Sequence, residues 1–361
     1  MKLKIELDET DKKILRAIEE KGGDLSTSEF SKLLKIPART IRYRINKMKE
    51  SGLIREPMIQ TYERKMGMGE RLLILQSYPD KEEQLSRILD EVSIFYFYAP
   101  TYGRYEGFIV YAMYPLVTPH LIPQITDELK ALELVQDYFI LDLVDYTRKK
   151  VEISTFLRDK SWSWDDWSTQ AEQVVEAGCE LNLALEEFPT QVPFDFEDVK
   201  IITHMVENPS APLKDVAEHT SLSLAQVHKR VKRLEDVGII RENKKCMSPF
   251  EDSMAITVIF KSRDKAKNIL CAFSKLPFEM TFGLESSTQY MITIDIPSSE
   301  VNHLLQRVRF LKKYTQEFFV QVMLKGKSKG YVHLLESFNE KTASWELPQT
   351  DSLERIRTLV K

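Results

Sequence analysis

The stretch "IPARTIRYRINKMKESGLI", residues 36–54, decides how this chain folds. Ile41, Ile45 and Met48 recur at helical spacing and form one apolar stripe. Pro37 stands where a first turn tolerates a missing N–H, and Gly52 supplies a left-handed stop. The spacing predicts a helix from about Ala38 to Ser51. Upstream, "DETDKKILRAIEEK" at 8–21 reads as a helix with Ile14, Leu15 and Ile18 on one face. "STSEFSKLLK" at 26–35 reads as a second helix, and Ser26 with Glu29 three residues on fits a capping box. "LIREPMIQTY" at 53–62 then reads as a strand pair. Two helices, a tight turn, a basic helix and strands make a winged helix-turn-helix.

The same plan returns half a chain later, and internal repetition is the feature to settle first. In "LSLAQVHKRVKRLEDVGII", residues 222–240, Leu222, Val227, Arg230, Val231, Leu234, Gly238 and Ile240 stand 186 positions beyond Ile36, Ile41, Arg44, Ile45, Met48, Gly52 and Ile54. After each unit the apolar period shifts from helical to alternating. "RLLILQSYP" from Arg71 opens an order strand, helix, strand, strand, helix, strand that closes with "VQDYFILDLVDY"; "MAITVIFKS" from Met254 opens the same order, closing with "TQEFFVQVML". That order is the βαββαβ, ferredoxin-like sandwich. The expected fold class is therefore α+β, with two winged helix-turn-helix units each followed by such a sandwich. The divisions expected are 1–62 and 63–150 for the first copy, an acidic, partly helical linker over 151–193, 194–246 and 247–328 for the second copy, and a tail over 329–361.

The combination resembles the Lrp/AsnC family of prokaryotic transcription regulators. Thr40, Ile41, Arg44, Ile45, Met48, Gly52, Leu53 and Ile54 fill every fixed position of that family's helix pattern; the second copy departs only at Gln226, where the first has Thr40. The resemblance covers roughly 5–148 and 192–326, so the chain looks like two family members fused into a pseudo-dimer, compatible with further pairing of chains. It implies double-stranded DNA as partner. It also implies a small-molecule effector near the turn between the second and third strands of sandwich 1, where "TYGRYEG" keeps Gly103 and Gly107. Siroheme decarboxylases resemble the same family and carry a His-Asn-Tyr-x-Arg run. No such run occurs here, and His120, His204, His219, His228, His303 and His333 are scattered. The expectation is no enzyme and no cofactor, with a siroheme-decarboxylase-like activity as the remote alternative.

Composition sets the bounds. With 361 residues, 43% hydrophobic and 29% charged, the chain can bury more than one core. A net charge of -4 and a pI near 6.0 exclude nucleic-acid or membrane binding by bulk charge, so any DNA contact must be local. No apolar run approaches the length of a membrane span. Cys179, Cys246 and Cys271 are far apart and odd in number, which predicts neither a disulfide framework nor a zinc site and suits a reducing cytoplasm.

Local charge is where the binding residues are expected. Between Lys35 and Arg55, seven basic residues face Glu50 alone. With the apolar stripe inward, Arg39, Thr40, Arg42, Tyr43 and Asn46 point outward to read bases or grip phosphates, flanked by Lys35, Lys47 and Lys49. Arg44 fits a phosphate contact or a structural ion pair equally. In the second copy the corresponding candidates are Gln226, His228, Lys229, Lys232 and Arg233, with Gln226 suited to adenine readout or to a capping box with Ser223. This makes the first helix the main reader and the second a weaker one. The linker sets Trp162, Trp164 and Trp167 among eight acids. Packing against a sandwich is the favoured reading for these residues. The rival is a docking surface for basal transcription factors, which would make the chain chiefly a recruiting protein.

Overall fold

A computed structural model describes residues 2–21, 25–157, 162–180, 183–244, 247–346 and 349–360, without the side chains of 242–244 and 349–351. The first copy opens with α1 (Glu9–Lys21), α2 (Thr27–Leu34), α3 (Ala38–Glu50) and β1 (Met58–Thr61). Its sandwich is β2 (Met68–Ser77), α4 (Glu82–Glu91), β3 (Phe95–Gly103), β4 (Gly107–Pro115), α5 (Leu121–Ala131) and β5 (Val135–Leu143). The connection adds β6 (Asp145–Lys149), α6 (Ile153–Phe156) and α7 (Trp164–Ala177). The second copy runs α8 (Phe196–Glu207), α9 (Leu213–Thr220), α10 (Leu224–Asp236), β7 (Ile240–Lys244), β8 (Ser253–Lys261), α11 (Ala266–Ser274), β9 (Glu279–Ser286), β10 (Gln289–Pro297), α12 (Val301–Arg307) and β11 (Glu317–Met323). The tail holds β12 (Lys327–Ser328), α13 (Val332–Leu335), β13 (Phe338–Asn339), β14 (Ser344–Trp345) and α14 (Gln349–Val360). The βαββαβ order expected twice is present twice.

The two sandwiches share one antiparallel sheet. β5-β2-β4-β3 of the first continues through β3–β11 pairing into β11-β8-β10-β9 of the second, and β9 pairs onward with β6. Because β6 follows β5 in sequence, the sheet curls back on itself. Its inner surface is a shared apolar layer that includes Leu72, Ile74, Ile109, Leu141, Ile259 and Met291. The helices cover the outer surfaces. The turn glycines of sandwich 1 have a mechanical role here: a Cβ on Gly103 would meet the Val320 carbonyl at 2.2 Å. Gln321 of β11 fills the turn, donating to the Tyr105 carbonyl at 2.9 Å and accepting from its N–H at 3.1 Å. The effector expected at this turn meets a neighbouring strand instead.

Each winged helix rests on the other copy's sandwich. Ser248 N–H donates to the Leu53 carbonyl at 2.8 Å, and Arg55 pairs with Glu279 on β9 at 2.5 Å. Reciprocally, Lys65 at the start of sandwich 1 donates to the Val237 carbonyl at 3.1 Å, and Met66, Met68 and Met113 join the core of Val199, Ile202, Val227 and Leu234. The expected strand pair within each unit is replaced by an exchange: β1 pairs antiparallel with β7, Met58 opposite Lys244. A strand of four residues leaves its ladder groups unpaired unless another strand is at hand, and the second copy supplies it.

The linker packs against sandwich 2, the reading favoured from the sequence. Trp164 and Trp167 are buried, Trp167 donating its indole N–H to the Ala272 carbonyl at 3.0 Å and Trp164 to Glu300 at 2.7 Å. Aromatic anchors for a transcription-factor surface are therefore spent inside, on the helical side of sandwich 2. The tail does the same for the first copy. Ile356 of α14 joins the core under α4 and α5, and Trp345 donates to the Met66 carbonyl at 2.5 Å.

One expectation is overturned outright. α7 lies along α11 and brings Cys179 to Cys271 with Cα atoms 6.4 Å apart, joined as a disulfide across a separation of 92 residues. Spacing in sequence could not show this pairing, because it depends on the linker folding back over sandwich 2. Cys246 lies outside the described residues. Closing a loop of that length should contribute about 4–5 kcal/mol in the chain-entropy account. Denaturant unfolding with and without a thiol reductant should differ by that amount, and a Cys271→Ser variant should be insensitive to the reductant. Among the described residues, no helix is long and apolar enough to cross a membrane.

Candidate nucleic-acid interface

The first reader is built by its own scaffold. Ile41 and Met48 are fully buried and Ile45 partly so, which turns the opposite face of α3 to solvent. On that face Arg39, Arg42, Tyr43, Asn46 and Lys47 are exposed and Thr40 is half-buried; Lys35, at the left-handed end of α2, is exposed beside them. Among the described residues, none of these side chains has a hydrogen bond or ion pair to the rest of the chain. Tyr43 is 69% exposed on this face. The amino end of α3 is equally open. Its N-cap is Pro37 and carries no side-chain cap, leaving first-turn N–H groups free to meet an anion.

Two candidates leave this set. Arg44 donates to Asp8 at 2.6 Å and Asp11 at 2.8 Å, and Asp11 is only 5% exposed. It is a structural ion pair fastening α3 to the start of α1, so its guanidinium is committed before DNA arrives. The side-chain hydrogen bond to Asp11 is the main cause of a raised Arg44 pKa, and an internal bond to Asp11's backbone, then Arg44, holds Asp8 low. Lys49 pairs with Glu56 at 3.0 Å. Arg44→Ala should cost about 1–3 kcal/mol by stranding the Asp11 carboxylate. It should leave the salt dependence of DNA binding unchanged, which a binding isotherm at several salt concentrations measures.

The second reader is bound up in itself. Gln226 accepts from the Ser223 N–H at 2.8 Å while its own N–H donates to Ser223 Oγ at 3.3 Å, a full capping box that takes the amide away from adenine readout. Arg230 donates to Asp195 and Asp198 at 2.8 Å. Arg233 pairs with fully buried Asp198 and donates to the Pro193 carbonyl at 2.8 Å, and Lys232 pairs with Asp236 at 2.7 Å. Of the five candidates on α10, His228 and Lys229 alone stay exposed with uncommitted side chains among the described residues. Sequence reasoning missed these pins, although it held the signal. Asp8 and Asp11 recur 187 positions on as Asp195 and Asp198, each pair facing the Arg shared by both repeats.

A family model of winged helix-turn-helix DNA-binding units matches residues 7–55 and 198–241. Both segments have the winged helix-turn-helix fold. The tandem arrangement expected from the repeat is consistent with the two matches. The chain is 43% identical over 53 residues to the uncharacterized HTH-type transcriptional regulator PH0140 of Pyrococcus horikoshii, a match covering 15% of this chain and 33% of that protein. It is 26% identical over 124 residues to the HTH-type transcriptional regulator FL11 of the same organism, covering 33% of this chain and 82% of the relative. The chain thus spans about a third of the first of these relatives. Among solved structures, the siroheme decarboxylase NirDL is similar at a TM-score of 0.56 and 13% identity, over 97% of this chain and 98% of that one. That likeness extends the shared fold along the whole chain. At this identity it shows fold and not chemistry.

Proposed function

We propose that this protein is a sequence-specific, double-stranded-DNA-binding transcription regulator whose two winged helices form an unequal pair on one covalent pseudo-dimer. The observation that carries the reading is the contrast between α3 and α10. On α3 the amino end is uncapped and Arg39, Arg42, Tyr43, Asn46 and Lys47 are uncommitted. On α10 the amino end is boxed and three of its four cations are paired. In this reading α3 enters the major groove, with Arg39, Thr40 and Arg42 nearest the bases and Lys35, Lys47 and Tyr43 on the phosphates. α10 adds His228 and Lys229 as a secondary phosphate contact. Footprinting on a duplex selected from random sequence tests the inequality directly.

The alternative is an enzyme of siroheme-decarboxylase type, the activity named for NirDL, whose fold extends along this whole chain. It is distinguished by whether the chain consumes siroheme. A role in recruiting basal factors through the linker has lost its anchors, since Trp164 and Trp167 are buried in sandwich 2.

A further inference from the structure

A cavity of about 340 Å³ opens at one end of the layer between the two halves of the sheet. Four tyrosines stand around it, Tyr96 on β3, Tyr111 on β4, Tyr146 on β6 and Tyr331 in the tail, with Glu70 of β2 among them. Tyr96 lies with its ring centroid 6.2 Å from Tyr111 and 5.9 Å from Tyr331, so the rings form a cage whose members are tilted to one another. Leu143, Met291 and Met323 supply an apolar floor. The volume falls in the range of small-molecule pockets, roughly 300–1,000 Å³.

The polar groups are one-sided. Glu70 is 9% exposed; one carboxylate oxygen accepts the Tyr96 hydroxyl, and the other has no hydrogen-bond partner among the described residues. Behind it Glu63, also buried, accepts from Thr61, whose hydroxyl lies 2.8 Å from that of Tyr331. The two buried carboxylates are neighbours; Arg148, an exposed side chain at the rim whose own contact is the Met58 sulfur at 3.1 Å, faces Glu70, and Arg241, itself paired with Asp145, faces Glu63. A buried carboxylate without a matching charge is costly. An anion in the cavity would meet repulsion from the Glu70 carboxylate, with Glu63 behind it; a cation would meet attraction from both.

We infer that this cavity is a binding site for a small organic ammonium, an arylalkylamine in size and shape, whose nitrogen takes the free oxygen of Glu70 and whose apolar part lies on Leu143, Met291 and Met323. Nothing in the DNA-binding reading is needed for it. The site is separate from the Gly103 turn, which β11 fills. It joins distant parts of the chain, since Met58 belongs to β1, Glu70 and Tyr96 to sandwich 1, Met291 to sandwich 2 and Tyr331 to the tail.

The titration of Glu70 adds a signature. Burial pushes its pKa up to about 7, with Glu63 adding to the rise and the Tyr96 hydroxyl and Arg148 opposing it. Tyr111, Tyr146 and Tyr331, the other titratable groups at the cavity, are all raised by burial and stay neutral. Amine affinity should therefore rise as pH climbs through about 7, where the carboxylate forms.

Calorimetric titration of the full chain with 2-phenylethylamine, and with 3-phenylpropionate as its anionic counterpart, tests the assignment. The amine should bind, the acid about tenfold or more weaker, and Glu70→Gln should cost the amine about tenfold, a change of about 1.4 kcal/mol, while abolishing the pH trend. Gln keeps the side-chain volume, and unchanged circular dichroism confirms that the variant folds. No heat with the amine at millimolar concentration, equal binding of the acid, or full affinity in the Gln variant would each overturn the proposal.

Discussion

A double variant, Arg39→Ala with Arg42→Ala, should lose about 100-fold or more in affinity for a selected duplex while unfolding at the wild-type temperature. Both side chains are exposed and make no hydrogen bond or ion pair among the described residues, so truncating them leaves the described fold intact. Each bidentate contact to a base is worth about 1–3 kcal/mol, so two together, about 2–6 kcal/mol, span the roughly 2.7 kcal/mol that 100-fold represents. The salt dependence assigns their partners. If both grip phosphates, the slope of log affinity against log salt flattens by about 0.9 for each; if both read bases, the slope holds and sequence preference relaxes. Fluorescence anisotropy at several salt concentrations, on the selected duplex and a scrambled one, measures both. Undiminished affinity would remove α3 from the interface.

Replacing Trp167 by Ala should destabilise the protein by about 3–5 kcal/mol. The indole is 3% exposed and packs edge-on against Phe273 at 5.6 Å, Trp164 at 5.8 Å and Phe310 at 6.2 Å. Its loss opens a void where the linker helix meets sandwich 2, and the Ala272 carbonyl gives up its indole donor. Trp167→Phe keeps most of the apolar contact and forfeits the hydrogen bond, so it should cost about 0.5–1.5 kcal/mol. Denaturant unfolding followed by circular dichroism separates the two. A cost below 1 kcal/mol for the Ala variant would mean that the linker stands away from the sandwich in solution, and the docking role would return.

How far these conclusions were legible in the sequence follows from the range of each interaction. Ile41, Met48 and Gly52, repeated as Val227, Leu234 and Gly238, specify a helix and its stop within a few residues, and period alone reveals them. The capping boxes Ser26–Glu29 and Ser223–Gln226 are equally local and form as their spacing implies. The exchange of winged helices between sandwiches, the β1–β7 pair and the Cys179–Cys271 bond join segments roughly 90 to 200 residues apart, and no periodicity encodes them. The interface lay between these extremes. Helical geometry placed Arg39 and Arg42 outward, but it could not tell free cations from committed ones, which is why Arg44, Lys232 and Arg233 first stood as contacts. The Glu70 cavity was invisible for the same reason as the exchange, since its walls come from β1, both sandwiches and the tail.

The inequality of the two helices is the claim on which the functional account stands, and hydroxyl-radical footprinting of one chain on a selected duplex addresses it most directly. The account predicts an asymmetric footprint, with base-edge protection in one half-site under α3 and backbone protection alone, roughly one helical turn or a multiple of it away, under α10. Matched protection of both half-sites on a palindromic sequence by a single chain would contradict it.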